Sequence, residues 1–169
     1  MKEKRRSPAQ RTALYGVLVA LAFIFSYIET LIPISIGIPG VKLGLANLAV
    51  LAALYLMHPT DAFVISVVRI ILVGFTFGNL SAMMYSMAGG LLSFVLMWVC
   101  KDRQWLGQTG ISIVGGISHN IGQLLMAAAV LESAAVFTYL PVLLLAGTLT
   151  GAVIGLICGM VLKRIPNIW

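Results

Sequence analysis

Arg69 stands in the middle of an otherwise apolar run, Phe63 to Phe77. Burying a guanidinium at membrane depth costs about 2.5–3.5 kcal/mol even on mild insertion scales, so it persists by pairing, snorkelling or lining a polar cavity. His119, Asn120 and Gln123 fall inside a second apolar stretch. Residues three and four apart share a helix face, so Gln123 can lie beside both His119 and Asn120. Lys42, Asn47, Asn79 and Tyr85 are also set among apolar neighbours, as are Glu29, Ser81, Ser86 and Glu132. Such groups need partners when buried. The basic and amide members offer the donors that bind carboxylate or phosphate. A plainer reading holds for each: a lone Asn or His between membrane helices acts as glue worth about 0.6–2 kcal/mol, Arg69 could pair with Glu29 or a carbonyl, and Glu132 could be a solvated loop charge.

The composition says what must position these residues. The 169 residues are 60% hydrophobic and 9% charged, with five Asp and Glu in all. That is too few acids to solvate a globular surface, and the chain reads as an integral membrane protein. The net charge of +6 does not point to nucleic acid. Lys2, Lys4, Arg5, Arg6 and Arg11 precede the first apolar run, and Lys163 and Arg164 follow the last. Basic clusters flanking spans set topology and touch anionic lipid. The run after the leader is long and lacks an A-x-A cleavage pattern, so it reads as a first transmembrane helix, not a signal peptide.

Six apolar segments can be drawn: 12–32, 43–57, 62–77, 80–99, 109–131 and 138–162. The chain divides into a basic cytoplasmic leader (1–11), one six-helix membrane domain (12–162) and a short cytoplasmic tail (163–169). The expected fold is all-α and polytopic, with both termini cytoplasmic. Spanning helices need about 20 residues, so the second and third segments should be shallow, tilted or helped by loop residues. With the amino terminus inside, the cytoplasm receives the leader, Lys101, Arg103, Lys163 and Arg164, against Lys42 outside. The positive-inside rule is met. Trp98, Trp105 and Trp169 fall at the inner interface, Tyr27 and Tyr139 near the outer one. Cys100 and Cys158 then face the reducing side, where a disulfide is not expected.

The outer connection Pro33 to Lys42 is apolar and rich in Pro and Gly. It reads as an interfacial linker or as a lid over an outward pocket. Gly147, Gly151, Gly155 and Gly159 recur every fourth residue. Such stripes let helix backbones approach closely, within one chain or against another subunit. Polar residues crowd the middle and outer half, while the inner half is apolar and glycine. That pattern describes a pocket closed below, not a pore.

Catalytic patterns are not evident. Asp61 and Asp102 are isolated, and no G-x-x-x-x-G-K-[ST] loop occurs. The chain therefore lacks a paired-carboxylate metal site and cannot hydrolyse ATP alone. Ser118-His119 lacks a third residue to orient a triad. Neither a cofactor nor a metal is expected.

Four strings carry a family resemblance: Gly40-Val-Lys-Leu-Gly-Leu-Ala-Asn47, Phe77-Gly-Asn-Leu-Ser81, Tyr85-Ser-Met-Ala-Gly-Gly90 and His119-Asn-Ile-Gly-Gln123. They resemble the Gx transporter family, whose members are often labelled heptaprenyl diphosphate synthase component I. The resemblance covers nearly the whole chain after the leader. That family is similar to the substrate-binding S components of energy-coupling factor (ECF) importers of vitamins and their precursors. It implies six helices, an outward pocket beneath the first external loop, and docking on a coupling subunit driven by two ATPases. An Ala-x-x-x-Ala docking motif on the first helix has its nearest match in Gly16-x-x-x-Ala20. The enzyme label meets a physical obstacle, since prenyl elongation needs Asp-rich Mg²⁺ sites and this chain has none.

The expectation is a cell-membrane binding subunit that is not itself an enzyme. It captures a small vitamin-like or precursor molecule with a carboxylate or phosphate and an apolar portion. Lys42, Asn47, Arg69, Asn79, Tyr85, His119, Asn120 and Gln123 are the candidate binding residues, Gly16 and Ala20 the docking residues. The alternative is a non-catalytic membrane subunit of a prenyl diphosphate synthase.

Overall fold

The computed structural model describes residues 7–31 and 44–164. Among them are six α-helices and no strand: α1 (Pro8–Leu31), α2 (Asn47–Leu56), α3 (Pro59–Thr76), α4 (Leu80–Asp102), α5 (Gln108–Val130) and α6 (Leu140–Arg164). A 3₁₀ turn, Ala134–Tyr139, leads into α6. The expected all-α membrane bundle is what forms. The Pro33–Lys42 connection, including Lys42 and the lid reading, lies outside the described residues.

The apolar run begins at Thr12, but α1 begins at Pro8. Ser7 and Gln10 bond reciprocally, Gln10 N donating to Ser7 Oγ at 3.2 Å and Ser7 N to Gln10 Oε1 at 3.1 Å. This is a capping box with proline at the first helical position, where its missing N–H costs nothing. The polar start of α1 thus carries the end of the leader into the helix.

Among the described residues, five helices are long and apolar enough to cross a membrane. The second expected segment, short for a span in the sequence, holds α2 of ten residues, about 15 Å, half of a hydrocarbon core about 30 Å thick. Its apolar neighbours 44–46 form a turn opened by Gly44, whose φ is +88°. Only glycine enters that region without steric cost. His58-Pro59 then ends the α2 segment and starts α3, because the residue before proline is driven to extended backbone and His58 has φ −64°, ψ 146°.

One end of the bundle gathers Arg11, Asp61 and Lys101. Arg11 Nη2 donates to Asp61 Oδ1 at 2.5 Å. Lys101 Nζ donates to the Leu54 carbonyl at 2.5 Å and lies 5.0 Å from the Tyr55 ring centroid. A cation on the last carbonyls of α2 complements its dipole. Above this end lies an apolar core built from Leu51, Leu54, Ile65, Phe94, Met97, Ile111 and Ile154. Cys100 and Cys158 are buried and free.

α5 is the central helix, and glycines let its neighbours close on it. An added Cβ on Gly147 would meet the Gly116 carbonyl oxygen at 2.8 Å, on Gly151 the Ile113 Cα at 2.7 Å, and on Gly155 the Thr109 Cα at 2.8 Å. The α6 stripe is therefore occupied within the chain. Gly159 is looser, with Gln108 Oε1 at 3.5 Å.

Candidate functional site

α5 places two polar side chains one turn apart on the side facing α4. His119 and Gln123 are 2% and 0% exposed. They fit because α4 presents Gly89, where a Cβ would lie 2.6 Å from the His119 carbonyl oxygen and 2.8 Å from Gln123 Cγ. Gly89 thus makes room for α5, and Gly90 beside it for Ile70 of α3. Gly122 repeats the device in reverse, its Cβ position 2.8 Å from Gly89 Cα.

The turn before α2 approaches the same histidine. A Cβ on Gly44 would sit 3.1 Å from Asn47 Nδ2 and 3.3 Å from His119 Cδ2. The Gly44 amide donates to Glu29 Oε1 of α1 at 2.5 Å. One glycine thereby gathers Glu29, Asn47 and His119 from three helices. Glu29 is also close enough for its charge to act on Arg69, as Arg69 is to act on His119.

Arg69 is 5% exposed and lies on the buried face of α3 with Ile65, Ser66, Ile70 and Val73. With Ser26 of α1 it lines a narrow cleft that also touches Gly74, Gly78, Met83 and Ser86. Ser26 belongs to the buried stripe Leu18, Ala22, Ser26 and Glu29. Its spacing of four, four and three was visible in the sequence, but Ser26 reads there as a small packing residue.

These side chains share one property. Ser26 Oγ, Asn47 Nδ2, Arg69 Nε and Nη2, His119 Nδ1, and both Gln123 amide atoms are buried without a hydrogen-bond partner among the described residues. Each such group costs about 1–3 kcal/mol, and a charged one more. Buried polar groups of this kind ordinarily find a partner in protein, ordered water or a ligand.

The other candidates are placed differently. Asn120 turns to α6 and donates to the Leu143 carbonyl at 2.7 Å. It is separated from His119 and Gln123 because one residue along a helix rotates the side chain by about 100°. Tyr85 packs among Leu124, Ala127, Val136 and Leu143. Asn79 is exposed and caps α4, its Oδ1 accepting from Ala82 N at 2.7 Å. Asn79→Ala should therefore cost about 1 kcal/mol of stability, the usual loss for such a cap. Ligand affinity should stay unchanged, which paired melting and binding curves would check. Among the described residues, no three His, Cys, Asp or Glu side chains gather where they could hold a metal ion.

Residues 18–161 match the family model described as heptaprenyl diphosphate synthase component I. No curated protein and no solved structure matches the chain.

Proposed function

The chain belongs to the heptaprenyl diphosphate synthase component I family, and from that premise and its buried polar site we propose that it is a substrate-binding membrane subunit. It captures a small vitamin-like or precursor molecule from outside the cell membrane. Partner subunits, a coupling protein and ATPases of the ECF kind, then drive uptake. The observation that carries this reading is the set of buried, unpartnered polar atoms on α1, α2, α3 and α5. They supply a cation, amides, an imidazole and a hydroxyl, which is recognition chemistry for a polar, anionic molecule. The apolar core on the charged side of the site supports capture from the opposite face. In this reading the chain performs no catalysis.

The family's description favours a second reading, a non-catalytic membrane subunit that attaches a prenyl diphosphate synthase to the membrane. Its Asp-rich diphosphate site would then belong to the soluble partner, since Asp61 here is committed to Arg11. Purification of the tagged full-length chain from native membranes in mild detergent separates the two. Recovery of a coupling subunit with ATPases supports the first reading; recovery of a soluble Asp-rich synthase in their place overturns it.

The docking face can be tested in the same preparation. No side chain or neighbouring helix comes within 4 Å of a Cβ built on Gly16, and Ala13, Val17 and Ala20 beside it are exposed. Gly16→Leu should fold with stability within about 0.5 kcal/mol of wild type, as substitutions away from packed features do. Recovery of the partner should fall at least about tenfold, because close helix approach needs a small residue. Undiminished recovery would remove this face of α1 from the interface.

A further inference from the structure

Resting on the binding-subunit reading, we propose that the anionic group of the ligand is a carboxylate, held by Arg69 and Ser26 in the cleft between α1, α3 and α4. The two unpartnered guanidinium nitrogens are Nε and Nη2. These lie on one edge of the planar group, and their parallel N–H bonds match the two oxygens of a carboxylate. Ser26 is 1% exposed, its Oγ has no hydrogen-bond partner among the described residues, and it lines the same cleft. The hydroxyl supplies a third donor from the facing helix.

Size and charge select the carboxylate over a phosphate. The cleft has room for about one water molecule. Gly74 keeps one wall low, and Met83 lies over it, its Sδ 2.7 Å from where a Cβ would stand. A flat carboxylate can enter edge-on by moving that flexible thioether. A tetrahedral phosphate is broader in every direction and carries nearly twice the charge. The cleft offers one cation, and the Glu29 carboxylate already acts on it. With Glu29 already facing the guanidinium, a dianion leaves one more uncompensated negative charge than a monoanion does. Gly78, at the turn between α3 and α4, also lines the cleft, so the carboxylate path runs beside that turn.

The test uses the full-length protein in detergent, with melting temperature read against sodium acetate, hexanoate and benzoate, and against inorganic and methyl phosphate, all at matched ionic strength. The three carboxylates cover small, aliphatic and aromatic bodies. At least one should raise the wild-type midpoint by about 3 °C near saturation, and neither phosphate should. Ser26→Ala should melt like wild type without probe, because its hydroxyl has no hydrogen-bond partner among the described residues, yet lose about half the shift. Arg69→Met should lose all of it. A phosphate shift equal to the carboxylate shift and dependent on Arg69 would overturn the carboxylate assignment and leave the binding-subunit reading standing. A carboxylate shift that survives Arg69→Met, an unchanged shift in Ser26→Ala, or no shift with any probe would overturn the site. Failure of the subunit reading shows separately, in which partners co-purify.

Discussion

Arg69→Met abolishes ligand retention and ligand-dependent uptake while leaving the empty protein as heat-stable as wild type, or more so. The guanidinium edge Nε–Nη2 has no hydrogen-bond partner among the described residues, so removing it strands no hydrogen bond, and the Glu29 carboxylate keeps the Gly44 amide. Methionine instead relieves the cost of a buried cation, which insertion scales put at about 2.5–3.5 kcal/mol. With ligand present the sign reverses. Losing a buried, hydrogen-bonded charge pair costs about 2–5 kcal/mol, a loss of roughly 30-fold to several thousand-fold in affinity. Arg69→Lys should recover only part of it, since an ammonium is a point charge without the planar fork. Melting curves of wild type and both variants, with and without the retained ligand, check this. A drop in stability of the empty Arg69→Met protein, with ligand stabilisation intact, would make Arg69 a structural partner of Glu29.

Gly151→Leu has the largest expected effect on the fold itself. A Cβ there would stand 2.7 Å from Ile113 Cα and 2.8 Å from the Ser112 carbonyl oxygen. Both are backbone atoms of α5, and a helix backbone cannot turn aside as a side chain can. Leucine must therefore push α6 from α5, and about two turns away Asn120 loses its reach to the Leu143 carbonyl. Overpacking of this kind costs about 1–3 kcal/mol in forgiving cores and more where backbone meets backbone. The variant should be degraded or aggregate on extraction, read by size-exclusion recovery. Gly159→Leu serves as the control, because Gly159 has no neighbour nearer than 3.5 Å. A monodisperse Gly151→Leu protein with normal uptake would contradict the close packing of α5 on α6.

Much of this was legible in the sequence, for identifiable reasons. Arg69, His119 and Gln123 stood out because polar side chains inside apolar runs are costly and few. The limits of α3 to α6 were legible to within a few residues, since hydropathy and their turn residues agree. The start of α1 escaped because its signal is a capping box outside the apolar run, at Ser7 and Gln10. α2 was drawn too long because hydropathy does not distinguish a helix from the apolar turn at Gly44, whose positive φ depends on its neighbours. Asn120 was grouped with His119 by spacing alone; which helix flanks each side of α5 decided otherwise. Asn79 reads as a buried donor because its apolar neighbours hide its place at a helix start, and Ser26, four residues after Ala22, reads as part of a small-residue packing face. Tertiary neighbours made these distinctions, and local sequence carries little trace of them.

Native mass spectrometry of gently purified full-length protein, wild type beside Arg69→Met, tests the central claim most directly. The account predicts one small, carboxylate-bearing molecule per wild-type chain, released on activation as a defined mass and absent from Arg69→Met. A wild-type chain that flies at its bare mass, or a ligand retained equally by both proteins, would contradict it.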